Sequence, residues 1–219
     1  MNYLMGVDLG QAADFTAICI LERQVPGPRP LDTYAQRRGE RPTAEPAHYH
    51  GRHLERVQIG TPYPVIVERV AAMLQTPQLR GATDLVVDAT GVGRPVVDMM
   101  HRAGLDPISV TIHGGDAVSR DGTGYRVPKR DLVGAVQVLL QTERLKFAAE
   151  LRDVPTLVSE LQNFRVKINL NTAHDSYAAH RERDHDDLVL AVAVAAWYAE
   201  RTGRRMADLD PASYPPLRF

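Results

Sequence analysis

Asp8 closes the apolar stretch YLMGV, Asp88 closes DLVV, and Asp184, His185, Asp186 and Asp187 lead directly into the unbroken apolar run Leu188–Trp197. Acids in these places can do chemistry. If the first two segments are neighbouring parallel strands, Asp8 and Asp88 emerge at the same sheet edge, where open α/β sheets place their ligands. On a helix, Asp184 and Asp187 stand i, i+3 and share a face, while Asp186 lies about 100° round from Asp187. The helix dipole favours negative charge at an N-terminus in any case, so the DHDD segment alone fits a plain cap as well as a ligand set. Three or more aspartates gathered in one cleft without a cationic partner repel one another and raise each other's pKa, unless a cation sits between them. Oxygen donors select Mg²⁺ or Mn²⁺, whereas zinc asks for Cys and His spacing that this chain lacks. Two such ions about 3.5 to 4 Å apart clamp the attacking water and the leaving oxygen of a phosphodiester. The acids therefore predict two-metal hydrolysis of a nucleic acid.

Other groups are candidates for supporting parts. His185 reads as a metal ligand, a general base or a solvated cap residue. Lys129, in VPKRD just ahead of a helical pattern, reads as a contact to the scissile phosphate or to a ligand carboxylate, or as a surface lysine. Arg120, Arg126 and Arg130 flank it on what reads as a Gly-rich loop, a mobile basic rim suited to DNA backbone contact. Thr90, Gly91 and Gly93 follow Asp88 and fit either close approach to a phosphate or an ordinary strand-to-helix turn.

The elements that must position these groups alternate between strand and helix patterns. Tyr3–Asp8 and FTAICILE (15–22) read as a hairpin, LERVQI (54–59) as a third strand, and Tyr63–Gln75 as a helix with Ile66, Val70, Met73 and Leu74 on one face. A fourth strand ending at Asp88, a helix over 96–103 and a fifth strand over 108–112 follow. Then come a Gly-rich loop, helices over 131–142 and 155–164, an extended stretch over 165–170 and a long helix from Asp184. Residues 26–53 hold five prolines with scattered Arg and His, and read as a loop or insertion that grips DNA or a partner or stays disordered. Residues 203–219 read as a short tail. The expectation is one α/β domain over 1–219: a mixed five-stranded sheet, three antiparallel strands then parallel ones, with helices on both faces.

Composition limits the alternatives. A chain of 219 residues with 44% hydrophobic content is most simply one globular domain, burying roughly 70% of its unfolded surface. The longest apolar run falls short of the ~20 residues that cross a bilayer, no signal peptide is evident, and the single Cys19 has no disulfide partner. A soluble cytoplasmic protein is expected. Net charge is only −1, yet 23 of the 26 basic residues are Arg, the better bidentate phosphate ligand. A GC-rich genome would produce the same bias.

GVDLGQAADFTAICI, LVVDATGVGRPVVDMM, YRVPKRDLV and HDDLVLAVAVAAW together resemble, in order, the motifs of the nuclease domain of tailed-phage large terminases. The resemblance spans nearly the whole chain. It implies the RNase H-like fold of the RuvC-related superfamily and a metal-dependent endonuclease that cuts double-stranded DNA during genome packaging. Asp8, Asp88 and Asp187 would be the metal ligands, with Asp186 and Asp184 as auxiliaries; the setting would be a bacterial host cell carrying a phage or prophage. The chain has no G-x-x-x-x-G-K-[ST] phosphate loop, so a separate or missing motor ATPase and other packaging proteins are expected as partners. Two other classes compete. GVDLGQ and DATGVG also resemble the phosphate loops of actin and sugar-kinase ATPases, but that reading needs a second lobe and gives HDDL no task. A non-catalytic relative that binds DNA or a packaging partner is the other.

Overall fold

In the computed structural model, residues 2–10, 14–27, 34, 37–38, 45–91, 93–163 and 186–208 are described, with side chains as far as 203 in the last segment. Chain order is β1 (Tyr3–Asp8), β2 (Thr16–Gln24), β3 (His48–Val57), α1 (Tyr63–Leu74), β4 (Thr83–Asp88), α2 (Gly93–Arg102), β5 (Pro107–His113), β6 (Ser119–Asp121), β7 (Gly124–Pro128), α3 (Lys129–Gln141), β8 (Leu145–Phe147), α4 (Val154–Asn163) and α5 (Asp187–Asp208). The strands form one mixed sheet in the order β6-β7-β5-β4-β1-β2-β3-β8. β1, β2 and β3 are antiparallel neighbours, and β4, β5 and β7 continue from β1 in parallel. No helix among the described residues is long and apolar enough to cross a membrane.

Two apolar layers explain the architecture. Met5, Val7, Ile18, Ile20, Leu85 and Val87 point to one face of the sheet, where Ile66, Val67 and Val70 of α1 and Val96 and Met100 of α2 cover them. The alternate residues, among them Leu4, Ala17, Cys19, Val86 and Val110, face α3, α4 and above all α5. This alternation is the two-residue strand period, with both faces buried as in a parallel-sheet core. Leu188, Val189 and all residues from Ala191 to Trp197 are buried, so α5 is apolar on almost every side because almost every side is covered.

The sheet has eight strands rather than the expected five. β6 and β8 are three residues each, too short to leave a period in the sequence, and the loop expected after β5 contains β6 and β7. β3 begins at His48, so the last part of the expected 26–53 insertion is strand; the polar HYHGRH conceals an inward alternation of Tyr49 and Gly51. Ile59, expected in that strand, lies in a turn and is exposed. α5 runs to Asp208, into the expected tail, and the stretch expected to be extended over 165–170 lies outside the described residues.

α5 approaches the sheet closely at one point. A Cβ built on Gly6 would stand 2.0 Å from the carbonyl oxygen of Ala191 and 3.0 Å from the Cβ of Ala195. Beside it the Cys19 thiol donates to the same Ala191 oxygen at 3.2 Å, and burial pushes that thiol's pKa up to about 12, so it is an inert packing group. Gly6→Ala is expected to destabilise the protein by about 1 to 3 kcal/mol, since the obstacle is backbone and cannot swing aside. Gly134→Ala on α3, where the new methyl meets nothing within 4 Å, is expected to raise stability by about 0.8 to 1 kcal/mol. Urea unfolding of the two variants measures both.

Candidate active site

The site begins as one ladder row. Asp88 of β4 pairs with Asp8 of β1, Asp8 with Ala17 of β2, and Ala17 with Arg56 of β3. Residues opposite one another in a ladder point to the same face, on strands about 4.8 Å apart. The row therefore presents two carboxylates, a methyl-sized gap and a guanidinium to the α5 side, at the edge where β1 and β4 end. α5 supplies the next group. Its Ala191 carbonyl lies over Gly6, and one turn earlier in the helix, about 6 Å, matches two residues further along the strand, about 6.7 Å. That displacement carries Asp187 over the row of Asp8 and Ala17.

Each acid has defined neighbours. Asp88 Oδ1 accepts the Thr90 backbone N–H at 2.8 Å and the Thr90 hydroxyl at 2.5 Å, while Thr90 Oγ1 accepts the Ile112 N–H at 2.8 Å. Asp187 Oδ2 lies 3.4 Å from the Arg56 guanidinium. Asp186 Oδ2 accepts from Lys129 Nζ at 2.8 Å. Arg56 also pairs with Glu160 of α4, whose other oxygen accepts the Val189 N–H at 3.0 Å, and the Arg56 Cζ sits 4.7 Å above the Phe15 ring. Asp8, Asp88, Asp187 and Glu160 are 9%, 6%, 6% and 6% exposed.

Such crowding shifts ionisation. Burial first, then the negative charges of Asp88, Asp187 and Asp186, holds the Asp8 carboxyl well above the usual range. Burial also raises Asp88, though the two Thr90 hydrogen bonds, the proton shared from Asp8 and the Lys129 charge pull it back. Asp8 and Asp88 thus titrate as a pair. Glu160 is pushed up to about 7, chiefly by burial, against the stabilising Val189 N–H and Arg56.

The structure brings together Asp8, Asp88, Asp186, Asp187 and Lys129, five of the groups singled out in the sequence. Asp184 and His185 lie outside the described residues. The arginine rim is not a loop: Arg120 is in β6, Arg126 in β7 and Arg130 in the first turn of α3. Arg120 donates to the Tyr125 hydroxyl at 3.1 Å and Arg130 to Asp116 Oδ1 at 2.7 Å, so hairpin pairing and ion pairs replace the expected mobility; Arg126 is exposed. Lys129 contacts the carboxylate of Asp186, one of the partners considered for it, and Arg56 lies against Asp187, so both helix acids have cationic neighbours. Arg56 and Glu160 were not foreseen: Arg56 occupies what reads as the polar position of an alternating strand, and Glu160 a polar position of an amphipathic helix. Thr90 belongs to Asp88.

Among the described residues, no three His, Cys, Asp or Glu side chains already stand as a closed ligand set. The donor chemistry nonetheless fits a hard divalent cation. Five carboxylates meet two cationic side chains, all donors are oxygen, and Asp8 faces the negative charges of three neighbouring acids.

The large terminase nuclease from the thermophilic phage G20c aligns with this structure at a TM-score of 0.55 and 20% identity, over 88% of this chain and 80% of that one. The fold is that of a large-terminase nuclease domain, the RNase H-like arrangement. The SPP1 phage large terminase (g2p) nuclease domain with bound Mn aligns at a TM-score of 0.48 with 11% identity, over 92% and 87% of the two chains. The human cytomegalovirus terminase nuclease domain, soaked in Mn, does so at 0.48 with 12% identity, over 90% and 82%. No protein-family model and no curated protein matches the chain.

The raised carboxyls make a stability prediction for the metal-free protein. A carboxyl whose folded pKa lies above its unfolded value binds its proton more tightly when folded, so stability falls as pH rises from the unfolded value through the folded one. Asp8→Asn, uncharged throughout, is expected to melt higher than wild type at neutral pH in EDTA and to converge with it below about pH 4. Thermal melts across that range check the sign.

Proposed function

We propose that this chain is a divalent-metal-dependent endonuclease that hydrolyses phosphodiester bonds of double-stranded DNA; the G20c protein that shares its fold is named a nuclease. The observation that carries the reading is the register of Asp8 opposite Asp88 on adjacent parallel strands, with Asp187 delivered over the same row by a buried helix. Asp8, Asp88 and Asp187 would hold Mg²⁺ or Mn²⁺, two ions in the full site, with Asp186, Asp184 and His185 as auxiliary groups. When bound, such ions supply a low-pKa water and offset the charge that builds on the phosphodiester.

The chain's own residues do the rest. Thr90 fixes the Asp88 carboxylate through two donors, so its orientation is set before any ligand arrives. Lys129, the first residue of α3, stands beside Asp186 and would meet a phosphate when that acid turns to a cation. Arg120, Arg126 and Arg130 lie on the hairpin and helix beyond it and would track the DNA backbone; such contacts set affinity and its salt dependence rather than sequence choice. A motor ATPase, separate or missing from this sequence, and further packaging proteins would be its partners, and the setting would be the host cytoplasm.

A second reading has one observation in its favour. Lys129 and Arg56 already compensate the two helix acids, which would suit a DNA- or partner-binding protein that keeps the fold without the reaction. Supercoiled plasmid separates the two. Wild type in Mn²⁺ or Mg²⁺ is expected to yield nicked and linear DNA, while Asp8→Asn, Asp88→Asn and Asp187→Asn fall to background and still shift DNA on a gel. Equal cleavage by wild type and Asp8→Asn would remove the nuclease reading; binding without cleavage by wild type would favour the second.

A further inference from the structure

We propose that Arg56 and Glu160 are positioning residues that set where the Asp187 carboxylate stands relative to Asp8, an inference that rests on the nuclease reading. Arg56 is the fourth member of the ladder row, and Ala17 between it and Asp8 carries only a methyl group. Asp187 thus comes down over a gap with an acid on one side and a guanidinium on the other, and its Oδ2 is 3.4 Å from that guanidinium. The row supplies the lateral address of the third acid.

Glu160 supplies the other coordinate. The first N–H groups of a helix have no partner inside it, and a neighbouring carboxylate commonly takes one. Here Asp186, the residue before α5, directs its side chain to Lys129, and the Val189 N–H is received by Glu160 from α4. A carboxylate this deeply buried requires a cation, and Arg56 provides it. The planar guanidinium therefore joins two acids at once, one holding the helix backbone and one being the group to be aimed, with the Phe15 ring limiting its tilt. Neither residue need touch DNA or metal.

A counter-charge role and a positioning role predict opposite signs. If Arg56 only offset negative charge, removing it would make the site more attractive to a cation. If it aims Asp187, removing it scatters a ligand and weakens binding. The experiment uses the full chain, with Arg56→Gln and Glu160→Gln beside wild type, Mn²⁺ titrated by the loss of its free electron paramagnetic signal, and backbone amide exchange followed in metal-free buffer. Arg56→Gln is expected to weaken Mn²⁺ binding at least tenfold and to speed exchange at 188–190 while 192–196 stay slow; Glu160→Gln is expected to move both in the same direction. If Arg56→Gln does not fold, Glu160→Gln is judged by the same two readouts. Tighter Mn²⁺ binding, or unchanged binding with unchanged exchange, overturns the proposal. Should wild type neither bind Mn²⁺ nor cut DNA, the nuclease reading fails by itself, and the exchange at 188–190 alone decides whether the pair holds the start of α5.

Discussion

Everything at this site depends on how near one helix backbone comes to one strand. Gly6 has no side chain, Ala191 and Ala195 have almost none, and the Ala191 carbonyl can therefore sit against β1 with the Cys19 thiol as its donor. The contact is also a ruler. Because a helical turn and a strand repeat are nearly commensurate, fixing Ala191 over Gly6 fixes Asp187 over the row that contains Asp8. A larger residue at Gly6 would move the acid as well as the helix.

Close approach places like charges together, and magnitudes show why the fold tolerates it. Two unit charges 4 Å apart cost about 4 kcal/mol at an effective dielectric of 20. Burying Leu188, Val189, Val192 and Val194 of α5 returns about 1.5 to 3 kcal/mol each as an upper estimate, which exceeds that cost. The far end of the helix is secured separately: Arg144 grips both oxygens of Glu200 at 2.9 Å, and the Tyr49 hydroxyl donates to the same carboxylate at 2.9 Å. Arginine here serves as a fork, joining two acids at Arg56 and gripping both oxygens of one at Arg144. This gives part of the Arg-rich composition a structural use beyond phosphate binding.

What could be read from the sequence was set by how strongly each element signals itself. Strands buried on both faces appear as apolar runs, so β1 and β4 and the acids that end them stand out, as does the long apolar α5. The parallel pairing of those strands followed from the alternation of strand and helix patterns. Three-residue strands have no period, which hid β6 and β8. Gly51 lies under the Phe147 ring, where a Cβ would stand 2.1 Å from a ring carbon, and so a core position of β3 read as part of a polar loop. Glu160 and Arg56 were invisible for a related reason. Each is a charged residue at a position where charge is ordinary; the packing of α4 against α5 buries Glu160 and leaves Arg56 half-buried beside it.

The acids come from widely separated parts of the chain: β1 near its start, β4 before its middle, and α5 as the last described element. β1 and β2 can pair as soon as both exist, but their α5 face stays uncovered and Asp8 has only Asp88 beside it until residues beyond 186 arrive and dock. The contacts that complete the row are among the longest in sequence that the chain makes, which is the kind of closure that forms late in folding. On the nuclease reading, a chain still being synthesised carries no finished cutting centre, and the order of translation itself withholds hydrolysis until α5 has emerged and docked.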